Sequence, residues 1–122
     1  MKFCWVTLTV RDLAISAAFY RDLVGLKEAR RMSVSPDLEI VFLGEGETQV
    51  ELIWNRQAPA VAFGQNISLG FAVDSLERLL PLLAAKGIAV HSGPFQPNPG
   101  IRFLYVLDPD GLKVQFVEHR AG

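Results

Sequence analysis

The sequence is poor in cysteine, has no excess of either charge and contains no long apolar run. Its single cysteine, Cys4, excludes an intrachain disulfide and a metal cluster built from cysteines. Twelve basic and thirteen acidic residues give a formal net charge of -1, without a basic run that would attract nucleic acid or anionic lipid. No segment approaches the roughly 20 apolar residues of a membrane span. We therefore expect a cytoplasmic protein whose partner is neither nucleic acid nor a membrane.

The composition that is present is typical of one globular domain. Hydrophobic residues make up 50% of the chain and charged residues 20%, which is enough apolar material for a sizeable core. A length of 122 residues falls in the range where a single core is commonest. We expect one domain over residues 1–122.

Periodicity predicts a strand and then a helix at the start of the chain. Apolar and polar residues alternate over positions 4–10, which indicates a half-buried strand with Cys4 packed inside and Trp5 on the polar side. Asp12 is placed to cap a helix, and Gly25 is placed to end it. The apolar stripe of this helix should lie on a sheet.

The rest of the first half predicts two further strands. A basic link runs through Arg30 and Arg31, and the segments 38–43 and 48–54 have the composition of strands. Gly44 to Gly46 supply a turn between them.

A polar, proline-containing linker at 56–65 precedes a second series of the same elements. A strand over 67–73 leads to a helix that Asp74 or Ser75 can cap and Gly87 can stop. Pro81 inside this helix predicts a kink, or a helix that is regular only after it. Three further strands are predicted at 88–91, 101–107 and 112–117, with a tight turn at 108–111 between the last two.

The two halves align as an internal repeat. Residues 10–13 lie over 73–76 at an offset of 63, and residues 49–52 lie over 113–116 at an offset of 64. Trp5 then corresponds to Ser68, and Glu51 corresponds to Gln115. The fold class predicted is α+β, with one module at about 1–55 and another at about 66–120.

Four of the predicted strands share one asymmetry, because each has an apolar side and a side of polar or small residues, apart from Ile53 and Val117 near the strand ends. The apolar sides should form the core. The other sides meet water in many antiparallel sheets, which is the simplest interpretation of them. Trp5 favours a binding surface instead, because an exposed tryptophan on a polar face marks many recognition sites.

Motifs at both ends of the chain resemble those of a known family. The first strand, Val10-Arg11-Asp12-Leu13, Phe19-Tyr20 and Leu23-Val24-Gly25-Leu26 are similar to the opening of the glyoxalase, bleomycin-resistance and extradiol dioxygenase superfamily, the vicinal oxygen chelate group. Leu107-Asp108-Pro109-Asp110-Gly111 before the last strand resembles its ending. The resemblance covers essentially the whole chain. It implies two βαβββ modules that form a curved mixed-sheet cup with the helices outside.

The resemblance also implies four positions for a divalent metal. Enzymes of that family hold the metal with His, Glu, His and Glu, taken from the first and last strand of each module. The offsets carry these positions onto Trp5, Glu51, Ser68 and Gln115. Indole does not bind such a metal, and neutral serine and glutamine bind it poorly. We therefore expect no metal and no cofactor, with a divalent ion held in some other way as the alternative.

The remaining candidate ligands have ordinary explanations. His91 lies at a predicted strand end and His119 in the tail after the last strand, so both fit surface histidines. Glu51 fits a carboxylate paired with Lys113 or hydrogen-bonded to Gln49 as well as it fits a functional group. Cys4 fits inert core packing.

These features favour a small-molecule-binding protein, because metal-free members of the family bind flat or extended molecules in the cup, often as dimers. Trp5 would supply a stacking wall and Glu51 with Lys113 a polar pair. The predicted ligand-binding residues are Trp5, Thr7, Thr9, Gln49, Glu51, Ser68, Phe103, Tyr105, Lys113 and Gln115. The resemblance and the exposed apolar area also favour a homodimer.

Two other functions compete with this one. In the first, the chain is a lyase, isomerase or dioxygenase-type enzyme, with or without a metal. Glu51 would be its catalytic base, and Lys113 or Arg102 its electrophile. In the second, it is a regulatory or structural dimer without a ligand. A molecule that co-purifies with the protein distinguishes the binding protein from the structural dimer.

Overall fold

Two units, Met1–Ala62 and Phe63–Gly122, each carry one βαβββ module in the computed structural model, which describes residues 1–46 and 48–120. The boundary between the units lies inside the proline-containing segment 56–65. Each unit has one four-stranded mixed sheet and one main helix. The predicted α+β class and the repeated module are confirmed.

The first unit has its sheet in the order β1-β4-β3-β2. Its elements are β1 (Trp5–Thr9), α1 (Leu13–Ala18), β2 (Glu28–Ser35), β3 (Leu38–Leu43) and β4 (Gln49–Asn55). β1 and β4 are parallel, and the other neighbouring strands are antiparallel. The order places the first and last strands of the module side by side, which positions the candidate site.

The helix of the first unit packs its apolar stripe against β3 and β4. Asp12 caps it, because its Oδ1 accepts a hydrogen bond from the Ile15 N–H at 3.0 Å. After α1 the chain makes a π-helical turn over Phe19–Leu23 and leaves the helix at Gly25, whose φ is 86°. The buried hydrophobic residues of this unit, on either side of its sheet, are Leu8, Val10, Leu13, Ala17, Phe19, Tyr20, Leu23, Val41, Phe42, Leu43, Val50 and Leu52.

The second unit repeats the arrangement in the order β5-β8-β7-β6. Its elements are β5 (Ser68–Ala72), α2 (Leu76–Ala85), β6 (Ser92–Asn98), β7 (Ile101–Leu107) and β8 (Lys113–His119). The parallel pair is now β5 and β8. The core of this unit comprises Leu76, Leu79, Leu83, Leu104, Val106, Leu112, Val114 and Phe116.

Helix α2 is continuous through its proline, so the predicted helix that is regular only after Pro81 is wrong. The helix starts at Leu76, with Ser75 as its cap, because Ser75 Oγ accepts from the Arg78 N–H at 3.2 Å. It ends before Gly87, whose φ is +69°. A proline inside a helix removes one backbone donor, and the amphipathic packing of Leu76, Leu79 and Leu83 against the sheet offsets that loss.

Strand β2 corrects the prediction of a basic link through Arg30 and Arg31. Both arginines lie in β2, and every residue of the strand is exposed. Neither side of the strand is buried, so its apolar residues, among them Met32 and Val34, do not form a core face. The strand forms through backbone pairing with β3 at the edge of the sheet.

Strand β6 corrects the prediction of a strand at 88–91. That segment has no regular structure, and the strand lies at Ser92–Asn98 instead. Pro94 and Pro97 are tolerated there because β6 is an edge strand whose register against β7 is interrupted. The apolar residues at 88–91 therefore misled the prediction.

Strand ends account for the remaining corrections. β1 begins at Trp5, so Cys4 lies outside the strand and is exposed, and its predicted core packing is wrong. β8 runs on to His119, which is therefore part of the strand and not of a tail. The turn before β8 is as predicted, because Asp108 Oδ1 accepts from the N–H groups of Asp110 and Leu112, both at 2.9 Å.

Among the described residues, no helix has the length and apolar character needed to cross a membrane.

Candidate functional site

The polar face of the first sheet carries the candidate residues of that unit. Leu8 and Val10 are buried on the side that α1 covers, whereas Trp5, Thr7 and Thr9 are exposed on the other side. Trp5 retains 41% of its accessible surface. The side on which the sequence predicts Trp5 is therefore confirmed.

One row of side chains crosses all four strands of this face. Thr7 on β1 lies opposite Glu51 on β4, Glu51 lies opposite Phe42 on β3, and Phe42 lies opposite Arg30 on β2. Directly paired residues point to the same side of a sheet. The row therefore presents a hydroxyl, a carboxylate, a phenyl ring and a guanidinium group in that order.

Contacts within the row hold its members in place. Thr7 Oγ1 donates a hydrogen bond to Glu51 Oε1 at 2.5 Å. The Trp5 ring meets the Phe42 ring edge-on, with centroids 5.2 Å apart and planes at 75°. The Arg30 guanidinium carbon lies 4.1 Å from the centroid of the same phenyl ring, in a cation–π contact. Phe42, only 2% exposed, thus supports both Trp5 and Arg30.

Arg31 differs from its neighbour Arg30, although the two are adjacent on β2. Arg31 pairs with Val41 on the core side of β3 and forms ion pairs with Glu28 at 2.9 Å and Glu39 at 3.7 Å. The hydrogen bond from Arg31 lowers the pKa of Glu28 below its ordinary value. Arg30, by contrast, has no ion pair with any carboxylate that the structure describes.

Gln49 and Thr9 lie on the same face as Glu51, above and below the row. Gln49 is opposite Trp5 and Thr9 is opposite Ile53. The Gln49 Nε2 group donates to the Gly44 carbonyl at 2.8 Å, so the predicted hydrogen bond between Gln49 and Glu51 is wrong.

An aromatic row occupies the corresponding face of the second unit. Phe95 on β6 and Phe103 on β7 are paired, with ring centroids 5.5 Å apart, and Phe103 lies 5.9 Å from Tyr105 in an edge contact. Tyr105 pairs with Gln115 on β8. Phe103 and Tyr105 therefore share the face of Gln115.

Polar groups border this aromatic row. Gln115 Nε2 donates to the Tyr105 hydroxyl at 3.3 Å, and Lys113 Nζ lies 5.5 Å from the Tyr105 ring centroid. Ser68 is exposed opposite Lys113. Gly70 lies opposite Gln115. A Cβ atom at position 70 would lie 3.3 Å from Oε1 of Gln115. The missing side chain leaves room for the amide.

A shallow cavity adjoins the exposed end of the aromatic row. It measures about 470 Å³ and is lined by Phe95, Gln96, Pro97 and Phe103. Three of these four residues are apolar, so the cavity suits the face or edge of an aromatic molecule.

The four family metal positions do not offer a suitable donor set. Within the first unit they are Trp5 and Glu51, and Glu51 already accepts a hydrogen bond from Thr7. Within the second unit they are Ser68 and Gln115, both neutral, and Gln115 is hydrogen-bonded to Tyr105. Within residues 1–46 and 48–120 no group of three or more histidine, cysteine, aspartate or glutamate side chains could hold a metal ion. The residues at these four positions do not fit a divalent metal ion that is held by four protein ligands.

Other residues considered from the sequence lie elsewhere. Arg102 pairs with Glu118, whose side chain reaches the start of α2, so Arg102 is on the helix side of its sheet. His91 precedes β6, and its backbone N–H donates to the Tyr105 carbonyl at 2.7 Å. Glu51 and Lys113 belong to different units.

Sequence reasoning missed Arg30, Phe42 and Phe95 as members of these faces. The motif Arg30-Arg31 was visible, but only one of the two arginines faces the row, and the choice depends on pairing with β3. Phe95 was hidden between prolines at an edge strand. No local signal in the sequence identifies Arg30 or Phe95 as a member of these faces.

Comparisons with known proteins agree on the fold. The family model for the Glyoxalase/Bleomycin resistance protein/Dioxygenase superfamily matches residues 2–116. A lactoylglutathione lyase of Haemophilus influenzae is 29% identical over 133 residues, covering 99% of this chain and 95% of that protein. A glyoxalase family protein from Bacillus cereus superposes with a TM-score of 0.85 at 17% identity, over 99% of this chain and 95% of that one. TnmS3, an antibiotic binding protein from Streptomyces sp. CB03234, gives 0.76 at 19% identity, over 98% and 97% of the two chains.

Proposed function

Because the chain belongs to the Glyoxalase/Bleomycin resistance protein/Dioxygenase superfamily, we propose that it binds a flat aromatic or conjugated small molecule without the four-ligand metal. The observation that carries this proposal is Trp5. Its ring is 41% exposed on a polar sheet face and is held edge-on against the buried Phe42. A tryptophan fixed in this way offers a large stacking surface at little conformational cost.

Polar groups beside Trp5 support the same proposal. Glu51 and Thr7 lie on its face, and Glu51 retains Oε2 as an acceptor because Thr7 occupies Oε1. Sites for small molecules typically combine apolar walls with a few fixed polar groups that orient the ligand. The face of the first sheet has both components.

The second unit offers the same chemistry on its own face. Phe95, Phe103 and Tyr105 form an aromatic row, and Lys113 and Gln115 border it. TnmS3, which shares this fold, is an antibiotic binding protein. The fold therefore serves a binding protein elsewhere, and the residues of this chain support the same role.

The test uses Trp5 as both reporter and ligand contact. In the Trp54→Phe variant Trp5 is the remaining one of two tryptophans, so a change in its emission on adding fused-ring aromatic compounds reports binding at its face. Trp54 is the matched control because it lies on the opposite side of β4, lining a different cavity beside Arg11 and Asp12. Calorimetry then compares each hit in wild type, Trp5→Ala and Trp54→Phe.

We expect Trp5→Ala to weaken binding by roughly 1–3 kcal/mol, the range for an aromatic anchor that becomes buried when the ligand binds. Trp54→Phe should leave the affinity unchanged. A ligand that binds with undiminished affinity to Trp5→Ala but depends on Trp54 would reverse the assignment of the two faces.

A second candidate, an enzyme, is favoured by the alignment with the Haemophilus influenzae lactoylglutathione lyase over nearly the whole chain. In this case Glu51 would accept a proton from a carbon next to a carbonyl, through its free Oε2. The assay is lactoylglutathione lyase activity with and without added zinc or nickel. Activity that disappears in Glu51→Gln would establish the enzyme, and its absence under all these conditions favours the binding protein.

A further inference from the structure

The row of the first sheet carries two oppositely charged side chains. Arg30 and Glu51 lie on the same face but on strands β2 and β4, with Phe42 on β3 between them. Adjacent strands are roughly 4.8 Å apart, so the two backbones are roughly 10 Å apart. Neither charged group has an ion-pair partner among the described residues. Phe42 therefore separates a cation on β2 from a carboxylate on β4, and the exposed Trp5 ring on β1 contacts the same phenyl ring.

Arg30 differs from the other arginines of this unit that carry ion pairs. Arg21, Arg31 and Arg56 each bind a carboxylate at 3.0 Å or less. Arg30 instead lies over the Phe42 ring, and that contact leaves its N–H donors without a carboxylate acceptor. A guanidinium presents its donors in a planar fork that matches a carboxylate.

We infer that the ligand is an aromatic monoanion, whose ring stacks at Trp5 and whose carboxylate or similar anionic group pairs with Arg30. This inference rests on the proposed function and specifies the ligand class of the same face. Glu51, on the far side of Phe42 from Arg30, selects against a second anionic group there, because two carboxylates that face each other repel. A neutral or hydrogen-bond donor group is accepted at that position.

The first experiment compares 2-naphthoate with 2-naphthamide, which have the same ring and differ in charge. Calorimetry on the full-length protein should show 2-naphthoate binding at least about fivefold more tightly, since hydrogen bonds to charged groups are the stronger ones. Arg30→Gln should remove this preference, and Arg30→Lys should keep part of it. Arg31→Gln is the matched control and should keep all of it, because Arg31 lies on the other side of the sheet in its own ion pairs.

A second comparison tests the role of Glu51. Naphthalene-2,6-dicarboxylate carries an anion at both ends of the same ring and should bind more weakly than 2-naphthoate. Glu51→Gln should strengthen the binding of the dianion, because it removes the charge that opposes the second carboxylate. Equal binding of the dianion in wild type and Glu51→Gln would overturn the orientation inferred from the row.

The outcomes separate the two proposals. If 2-naphthamide binds as tightly as 2-naphthoate and both depend on Trp5, the face binds aromatics and the assignment of Arg30 is wrong. If Arg30→Gln still binds 2-naphthoate more tightly than 2-naphthamide, the assignment of Arg30 is also wrong. If neither compound binds, the proposed function fails for fused aromatics and the inference fails with it.

Discussion

Glu51 illustrates how the partner of a single side chain determines its chemistry. Of the four family metal positions it alone carries an acidic side chain, and the residue opposite it on β1 is Thr7. The hydroxyl of Thr7 donates to Glu51, so one carboxylate oxygen is engaged by a neutral donor. Trp5 lies two residues before Thr7 on the same face of β1, where it contacts Phe42.

From this arrangement we predict that zinc does not bind stoichiometrically at Glu51. One carboxylate without imidazole or thiolate neighbours provides too few ligands for a tetrahedral site. After incubation with zinc and gel filtration, elemental analysis should find less than one ion per chain, with no difference between wild type and Glu51→Ala. One ion per chain that is lost in Glu51→Ala would show that the internal repeat misplaces the site.

At the scale of elements, a buried glutamate connects helix α2 to the sheet of its unit. Glu118 on β8 is 8% exposed, and its Oε1 accepts from the Leu76 N–H, at the start of α2, at 3.0 Å. Its Oε2 lies 3.1 Å from Arg120 Nε in an ion pair. The first N–H groups of a helix have no partner within it and carry partial positive charge. Glu118 therefore caps α2 from another element.

We predict that Glu118→Ala lowers the free energy of unfolding by roughly 1–3 kcal/mol, because it leaves a buried N–H without an acceptor. Glu118→Gln should cost less, since its amide oxygen can still accept. Glu77→Ala is the control, because Glu77 is exposed in the first turn of the same helix. Urea denaturation followed by circular dichroism measures all three. Equal losses for Glu118→Ala and Glu77→Ala would contradict the capping role.

The two edge strands show what composition predicts poorly at this scale. β2 is polar and fully exposed, and β6 contains two prolines. Each pairs with a single neighbour, so backbone hydrogen bonds and not side-chain burial make it a strand. Buried strands such as β3 and β7 were predicted with their observed limits, because their side chains carry the apolar pattern.

For the molecule as a whole we propose a homodimer. In the part of the chain that the structure describes, β2 and β6 are edge strands of their sheets; β2 exposes Met32 and Val34, and β6 exposes Phe95. Exposed edges with apolar residues favour association, and a second copy of the same chain is the commonest partner. Static light scattering at micromolar concentration should give twice the chain mass of 13.5 kDa. A mass equal to one chain would contradict this.

Local patterns in the sequence determined most of the elements, the two modules and the buried side of the strands that carry an apolar pattern. Alternation predicted that Trp5, Thr7 and Thr9 lie opposite the core, because strand side chains alternate sides wherever the chain is extended. The helix cap at Asp12 and the helix ends at Gly25 and Gly87 were predicted equally well. These features depend on residues close together in the chain.

Only the tertiary structure decided which residues of different strands meet. The contacts of Phe42 with Arg30 and Trp5, and of Glu51 with Thr7, follow from the register of β1, β4, β3 and β2. The pattern within one strand gives its faces but not its alignment with a neighbour, and a shift of one residue would exchange Arg30 for Arg31. The sheet register results from the packing of the whole unit. It therefore decides which charged side chains lie on the candidate face.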